Sequence, residues 1–186
     1  TTAYDPTCGS GSLLLKIAAQ AGKHITLEGQ EKDVTTAGLA RMNMILHDNA
    51  EALIQQGNTL TDPKFKDGDA LKTFDYVVAN PPFSDKNWST GLDPENDPWK
   101  RFAYGVPPKK QGDYAYLLHI IRSLKSAGRA ACILPHGVLF RSGEEGKIRE
   151  GLLFGTDAAS GGQPGDLIEA IVGLPEALFY NTGIPA

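Results

Sequence analysis

A short apolar run ends in an amide, two prolines and an aromatic ring at Val77-Val78-Ala79-Asn80-Pro81-Pro82-Phe83. The run from Phe74 to Ala79 is apolar and β-branched, with Asp75 just inside it, and reads as a buried strand. Proline has no N–H to continue a ladder, and a residue before proline is pushed out of the helical region. Asn80 and Pro81 are therefore held extended at the carboxyl end of a strand. There the Asn80 side-chain amide and the Pro81 carbonyl can face one small target. An Asn-Pro pair alone more often makes a plain turn than a site, so the weight falls on what accompanies it.

The second stretch is "DPTCGSGSLL", Asp5 to Leu14, which follows a first strand and opens a helix. Gly9 and Gly11 permit a tight turn and close approach of backbone to a ligand, and a helix N-terminus adds unpaired N–H groups. A dinucleotide fingerprint needs a third glycine three places after the second, where this chain has Leu14. A P-loop needs Gly-Lys-Ser/Thr, which is absent. A ligand with an adenosine and no phosphates fits better, which points to S-adenosylmethionine. The second strand ends "LEGQE", and an acidic residue there accepts hydrogen bonds from ribose hydroxyls. Glu31 is at the expected place, Glu28 competes with it, and a merely solvated carboxylate is the bland alternative. In doubly wound sheets, ligands sit at the carboxyl ends of strands where the strand order reverses. The glycine turn follows the first strand and "NPPF" the fourth. If those two strands are neighbours, cofactor and substrate meet.

The elements that must position these residues alternate along the chain. Thr1–Tyr4 reads as a strand, Ser12–Ala21 as a helix with Leu13, Leu14, Ile17 and Ala18 at helical spacing, and Ile25–Gln30 as a strand. A helix over Thr35–His47 places Leu39, Met42, Ile45 and Leu46 on one side. Ala52–Gln56 is a weak strand and Phe74–Ala79 a clear one. A helix follows over Asp113–Ser126, with Asp113 as N-cap and Gly128 near its end. Arg129–Leu134 is a strand, Glu144–Leu153 a helix and Leu167–Gly173 a strand. This alternation predicts an α/β fold, a doubly wound and mostly parallel sheet of the Rossmann-like type, in a single domain over residues 1–186. Ser84–Gly112 lacks periodicity and holds Trp88, Trp99, Phe102 and Tyr104, so it reads as a long loop, either substrate-contacting or a mobile excursion.

Bulk properties exclude little else. At 186 residues, 41% hydrophobic and 22% charged, the chain can fill one well-packed domain. No apolar run is long enough to span a membrane. Cys8 and Cys132 suggest neither a disulfide framework nor a metal site, the four histidines form no spaced ligand pair, and reduced, cytoplasmic thiols are expected. A net charge of −4 argues against this segment alone gripping nucleic acid strongly. It leaves room for a catalytic domain that borrows its DNA contacts from a partner.

The stretches "DPTCGSGSLL", "GQE…TAGLARMNMILHD", "GNTL" and "VVANPPF", in this order, resemble the methylation subunit of type I restriction–modification systems. "GRAACILPHGVLF" and "IVGLPEALFYNTGIPA" extend the likeness over nearly the whole chain, and the run Thr36–Asp48 is its most specific part. The resemblance implies an S-adenosylmethionine-dependent adenine-N6 DNA methyltransferase acting on a flipped adenine, with separate specificity and restriction subunits as partners. It further implies that Asp5, Thr7, Cys8, Gly9, Ser10, Gly11 and Ser12 line the methionine side of the cofactor and that Glu31 binds the ribose. Asn58 lies beside the adenine of the cofactor, where many members have Asp. Asn80, Pro81, Pro82 and Phe83 form the catalytic motif, Asn80 also bordering the cofactor. Phe83 stacks on the base, and Phe179 is the second aromatic face, with Tyr180 as its rival. The family's helical N-terminal domain and C-terminal extension are missing, so the chain reads as a catalytic core.

Three other readings compete. A nicotinamide dehydrogenase lacks the third glycine and gives "NPPF" no role. A ribosomal RNA guanine-N2 methyltransferase shares the motif but is not expected to share the helix after Glu31. A non-catalytic binding or assembly module leaves the intact Asn80–Phe83 run unexplained.

Overall fold

The computed structural model describes residues 1–21, 24–175, 178 and 186. In chain order the elements are β1 (Thr2–Asp5), α1 (Ser12–Ala21), β2 (Thr26–Glu31), α2 (Val34–Leu46), β3 (Leu53–Gln56), β4 (Lys66–Asp67), β5 (Ala70–Leu71), β6 (Phe74–Ala79), α3 (Asp113–Arg122), β7 (Leu124–Cys132) and α4 (Glu144–Phe154). Short 3-10 turns occupy Pro94–Asn96, His136–Leu139 and Ala158–Ser160. Five strands form one parallel sheet in the order β3-β2-β1-β6-β7, and β4 and β5 form a separate antiparallel pair. The parallel α/β fold is as the alternation predicts. The chain divides into two compact units, one of Thr1–Pro81 with His119–Cys132, the other of Pro82–Leu118 with Ile133–Ala186.

In the first unit, β1 is buried on both faces, as a central parallel strand must be. Ala3 joins Cys8, Leu14, Leu27, Ala40, Met44 and Ile54 in one cluster. Its neighbour Tyr4 joins Phe65, Phe74, Val77, Ala79 and Ile120 in another. Tyr4 and Phe74 stack at 4.6 Å between ring centres, a pairing that contributes about 0.5–1.5 kcal/mol beyond area burial. The Tyr4 hydroxyl meets Thr59 Oγ1 at 3.1 Å and His119 Nε2 at 3.4 Å, so a small polar knot closes this cluster.

Three elements depart from the expectations above. Helix α2 does carry Leu39, Met42, Ile45 and Leu46 on one side, but that side faces solvent, and Ala37, Ala40 and Met44 are buried instead. The glycine turn packs directly on that buried side: a Cβ on Gly11 would stand 2.4 Å from Met44 Cε and 3.8 Å from Ala40 Cβ. Helix α3 stops at Arg122, and β7 runs from Leu124 because Phe74 pairs with Leu124. Gly128 therefore marks no helix end. It sits beside the register shift of β6 and β7, where a Cβ would come within 2.7 Å of the Phe74 carbonyl oxygen. Leu167–Gly173 forms no strand; its first amide donates to the Leu152 carbonyl of α4, and Leu167, Ile171 and Val172 are exposed.

In the second unit, much of the aperiodic stretch is packed. Trp88, Phe102 and Tyr104 are buried, and Trp88 Nε1 donates to the Pro108 carbonyl at 2.9 Å. Arg101 and Asp97 form a buried ion pair at 2.6 Å, with the guanidinium 4.8 Å from the centre of the Trp99 ring. Here the backbone is irregular while the side chains form a core, so no hydrophobic period exists to be read.

Candidate active site

Strands β1 and β6 are hydrogen-bonded neighbours, with Ala3 opposite Tyr76 and Tyr4 opposite Val77. The order reverses there: β2 and β3 lie to one side of β1, and β6 and β7 to the other side. The glycine turn leaves the carboxyl end of β1, and Asn80-Pro81 leaves the carboxyl end of β6. This is where ligands bind in open parallel sheets.

Asp5 ends β1 and is only 1% exposed. Its Oδ1 accepts the Thr7 amide at 3.0 Å. Burial, opposed by that bond and reinforced by the nearby Glu31 carboxylate, pushes its pKa up to about 7. Thr7 Oγ1 is buried and has no hydrogen-bond partner among the described residues. Gly9 adopts φ +53°, and a Cβ built on it would meet nothing within 4 Å. The Glu31 carboxylate accepts the Gly9 amide at 2.9 Å and the Asp33 amide at 2.9 Å, which ties the end of β2 to the turn. Glu28 points elsewhere: it is buried and pairs with Lys72 at 2.5 Å.

Ser10 and Ser12 are exposed and share a 2.8 Å hydrogen bond. Gly11 adopts φ +81° and faces α2, so its close approach is to Met44 rather than to open space. Cys8 ties the turn to β2 through its backbone, donating to the Gln30 carbonyl at 2.9 Å and accepting from Gly11 at 2.7 Å, while its thiol is a weak donor to the Gly9 carbonyl at 4.0 Å. Its thiol belongs to the apolar cluster under the sheet, where burial and the neighbouring carboxylates push its pKa up. Asn58 follows β3, its Oδ1 accepting the Leu60 amide at 3.0 Å, and Gly57 just before it donates to the Glu31 carbonyl at 2.9 Å. Asn80 is exposed, and its side-chain amide makes no hydrogen bond with a described residue. Pro81 is buried at the close of the first unit; Pro82 is exposed and Phe83 half-buried at the opening of the second. Phe179 and Tyr180 lie outside the described residues.

Two supporting residues escaped the sequence reading. Asn43 on α2 donates to the Ser10 carbonyl at 3.0 Å. Gln30 accepts the Lys64 amide at 2.9 Å and donates to the Asp62 carbonyl at 2.8 Å, bracing the loop after β3. Asn43 falls inside the run Thr36–Asp48, whose resemblance was the most specific. Gln30 carries no such signal.

These features suit S-adenosylmethionine. A buried carboxylate held near neutrality is completed by an ammonium group, an orphaned hydroxyl lies two residues away, and open space stands over Gly9. The N-6 DNA methylase family matches residues 1–186. The chain belongs to that family. It is 32% identical over 191 residues to the type I restriction enzyme MjaIX methylase subunit of Methanocaldococcus jannaschii, covering 98% of this chain and 32% of the relative. The HindI methylase subunit of Haemophilus influenzae is 34% identical over 194 residues, with coverage of 98% and 39%. The chain therefore spans about a third of the length of the curated relatives it matches. A crystal structure of the type I restriction–modification methyltransferase subunit from Streptococcus thermophilus superposes with a TM-score of 0.82 at 37% identity, covering 99% of this chain and 37% of that one. A structure described as a class I S-adenosylmethionine-dependent methyltransferase from Listeria monocytogenes shares the fold alone, with a TM-score of 0.59, 14% identity and coverage of 81% and 44%.

Proposed function

We propose that the chain is the catalytic core of a type I modification subunit and transfers a methyl group from S-adenosylmethionine to N6 of adenine in DNA. The observation that carries this reading is the pairing of β1 with β6, which sets the glycine turn and Asn80-Pro81 at the same end of the sheet where the order reverses. Bound there, the cofactor supplies an electrophilic methyl on a sulfonium. Asp5 takes the ammonium of its methionine part, with Thr7 Oγ1 beside it, and the backbone at Gly9 lies against the ligand. Glu31 accepts from the ribose hydroxyls, and Asn58 borders the adenine.

The exocyclic nitrogen of adenine is a poor nucleophile because its lone pair is delocalised into the ring. The Asn80 side-chain oxygen and the Pro81 carbonyl accept its two hydrogens. This favours a tetrahedral nitrogen whose lone pair is free to attack and stabilises the charge that grows on it; as the N–C bond forms the methyl–sulfur bond would break, S-adenosylhomocysteine would leave as a neutral thioether, and the methylated nitrogen would give up one of its two protons to solvent. Phe83 stacks on the base, which must leave the duplex to be reached, and Phe179 or Tyr180 supplies the second face. A net charge of −4 suits a core whose DNA grip comes from a specificity subunit, with a restriction subunit completing the system. The setting is cytoplasmic; among the described residues no helix is long and apolar enough to cross a membrane.

The test is single-turnover methylation by the assembled enzyme, with the product base identified by mass spectrometry. N6-methyladenine is the expected product. Asn80→Ala is expected to lose about 3 kcal/mol or more of transition-state stabilisation while S-adenosylhomocysteine affinity stays unchanged. Normal turnover by that variant removes the catalytic role of Asn80, and a methylated guanine product overturns the reading.

A further inference from the structure

Immediately after the aromatic of the "NPPF" run, the backbone of the second unit takes a shape that needs holding. Ser84 adopts φ +51°, a left-handed conformation that a non-glycine residue keeps only when its surroundings demand it. Its amide donates to Asp113 Oδ1 at 2.7 Å. Asp113 is 1% exposed and sits in the first turn of α3, where the Gly112 carbonyl already accepts the Ala115 and Tyr116 amides. Its carboxylate is thus not spent on the cap that the sequence suggested. The other oxygen, Oδ2, accepts Arg141 Nη2 at 2.5 Å. Arg141 is held in turn by both oxygens of the buried Glu145 on α4, through Nε and, at 2.8 Å, through Nη2. One residue further on, Asp85 Oδ2 accepts the Tyr116 hydroxyl at 3.0 Å, and its Oδ1 the Asn87 amide at 2.8 Å. The chain is gripped at two successive residues, and both grips come from the first turn of one helix.

Burying two carboxylates and a guanidinium contributes little net stability by itself, because their desolvation offsets most of the attraction. What such a network does well is fix geometry. The backbone it holds, at Ser84, directly follows Phe83.

We infer that Asp113, backed by Arg141 and Glu145, is a positioning residue that sets the Phe83 ring for the target base by holding Ser84 in its left-handed conformation. The inference rests on the reading that Phe83 stacks on adenine. Asp113 touches neither cofactor nor base. Its loss therefore acts on base capture and on the transfer that depends on it, and leaves cofactor binding alone.

The experiment compares Asp113→Ala, Asp113→Asn, Phe83→Ala and the double variant Asp113→Ala/Phe83→Ala in the assembled enzyme. It measures single-turnover methylation of a duplex with a paired or an unpaired target adenine, S-adenosylhomocysteine affinity by calorimetry, and the melting temperature. Asp113→Ala is expected to slow methylation of the paired target about tenfold or more and to be partly rescued by the unpaired target, with cofactor affinity unchanged. Asp113→Asn keeps an oxygen for the Ser84 amide but turns an NH2 toward Arg141, and its rate is expected to fall between those of the parent and Asp113→Ala. The double variant is expected to be no slower than Phe83→Ala, since one ring cannot be misplaced and absent at once. If Asp113→Ala fails to fold, Arg141→Lys carries the test: it keeps a cation beside Asp113, loses the two-point grip on Glu145, and must slow the paired target without changing cofactor affinity. A defective Phe83→Ala beside a normal Asp113→Ala, or multiplicative losses in the double variant, overturns the inference. A normal Phe83→Ala overturns the stacking reading beneath it.

Discussion

The buried carboxylate at the end of β1 gives a quantitative handle on the site. Asp5 titrates near pH 7 in the folded chain against an ordinary 3.8. The folded state thus binds a proton that the unfolded state releases. The stability contribution is therefore greatest below pH 3.8 and declines as pH rises, until Asp5 is ionised in both states above about 7. A rise of about three pH units at about 1.4 kcal/mol each puts the ionised, ligand-free Asp5 on the order of 4 kcal/mol less favourable than the acid limit. Asp5→Asn keeps an oxygen for the Thr7 amide and removes the charge. Without ligand it is expected to unfold at higher urea than the parent at pH 8, with the advantage shrinking steadily toward pH 4. Ligand reverses the ranking. An ammonium that pairs with the ionised Asp5 makes binding of S-adenosylhomocysteine strengthen up to about tenfold per pH unit from pH 5 to pH 7 and flatten above. Binding at pH 6 releases close to one proton, measurable by calorimetry in two buffers of different ionisation enthalpy. Urea melts at pH 5, 6, 7 and 8, with and without ligand, complete the assay. Equal stability of variant and parent across that range refutes the desolvation argument. A pH-independent affinity refutes the pairing of Asp5 with the ammonium.

The two glycines of the turn are expected to respond oppositely. Gly11→Ala drives a Cβ into Met44 and is expected to destabilise the fold by about 1–3 kcal/mol, read by denaturation. Gly9→Ala meets nothing in the protein, is expected to leave stability within about 1–2 kcal/mol, and weakens S-adenosylhomocysteine binding in calorimetry. Glu31→Ala is expected to weaken that ligand by about 1–3 kcal/mol. Glu28→Ala is expected to lower the melting temperature with affinity intact, since its partner is Lys72; the opposite pattern would reassign the ribose site. Asp75, held down to about 2 by Lys125 first and then by the Thr2 amide and hydroxyl, contributes stability above pH 3.8 that is lost as pH falls toward 2. Asp75→Asn is therefore expected to flatten the acid limb of a melting-temperature profile.

The sheet was legible because its strands are short apolar runs with turn residues at their ends: Phe74–Ala79 is β6 without adjustment, and Ser12–Ala21 is α1. The β1–β6 adjacency was the condition under which the two motifs could meet where strand order reverses, and the sheet meets it. What escaped the reading depends on contacts between segments distant in sequence. The buried side of α2 is the one packed on the glycine turn, a contact that no periodicity within the helix reveals. Gly128 signals a helix end or a bulge with equal ease until the register of β6 and β7 is known. Asp113 has the spacing of an N-cap, and only the strained Ser84, 29 residues earlier, shows where its carboxylate goes.

The contact between Gly11 and Met44 also couples the changes these two positions can make over time. A side chain at position 11 and the long thioether at position 44 claim the same volume. Either order passes through a weakened intermediate: enlarging position 11 first costs about 1–3 kcal/mol. Shortening Met44 first opens a cavity, a survivable step of about 2–3 kcal/mol, which the later side chain then fills. Descendants of such a path would carry paired changes at 11 and 44, with Gly9, whose Cβ position is open, untouched throughout.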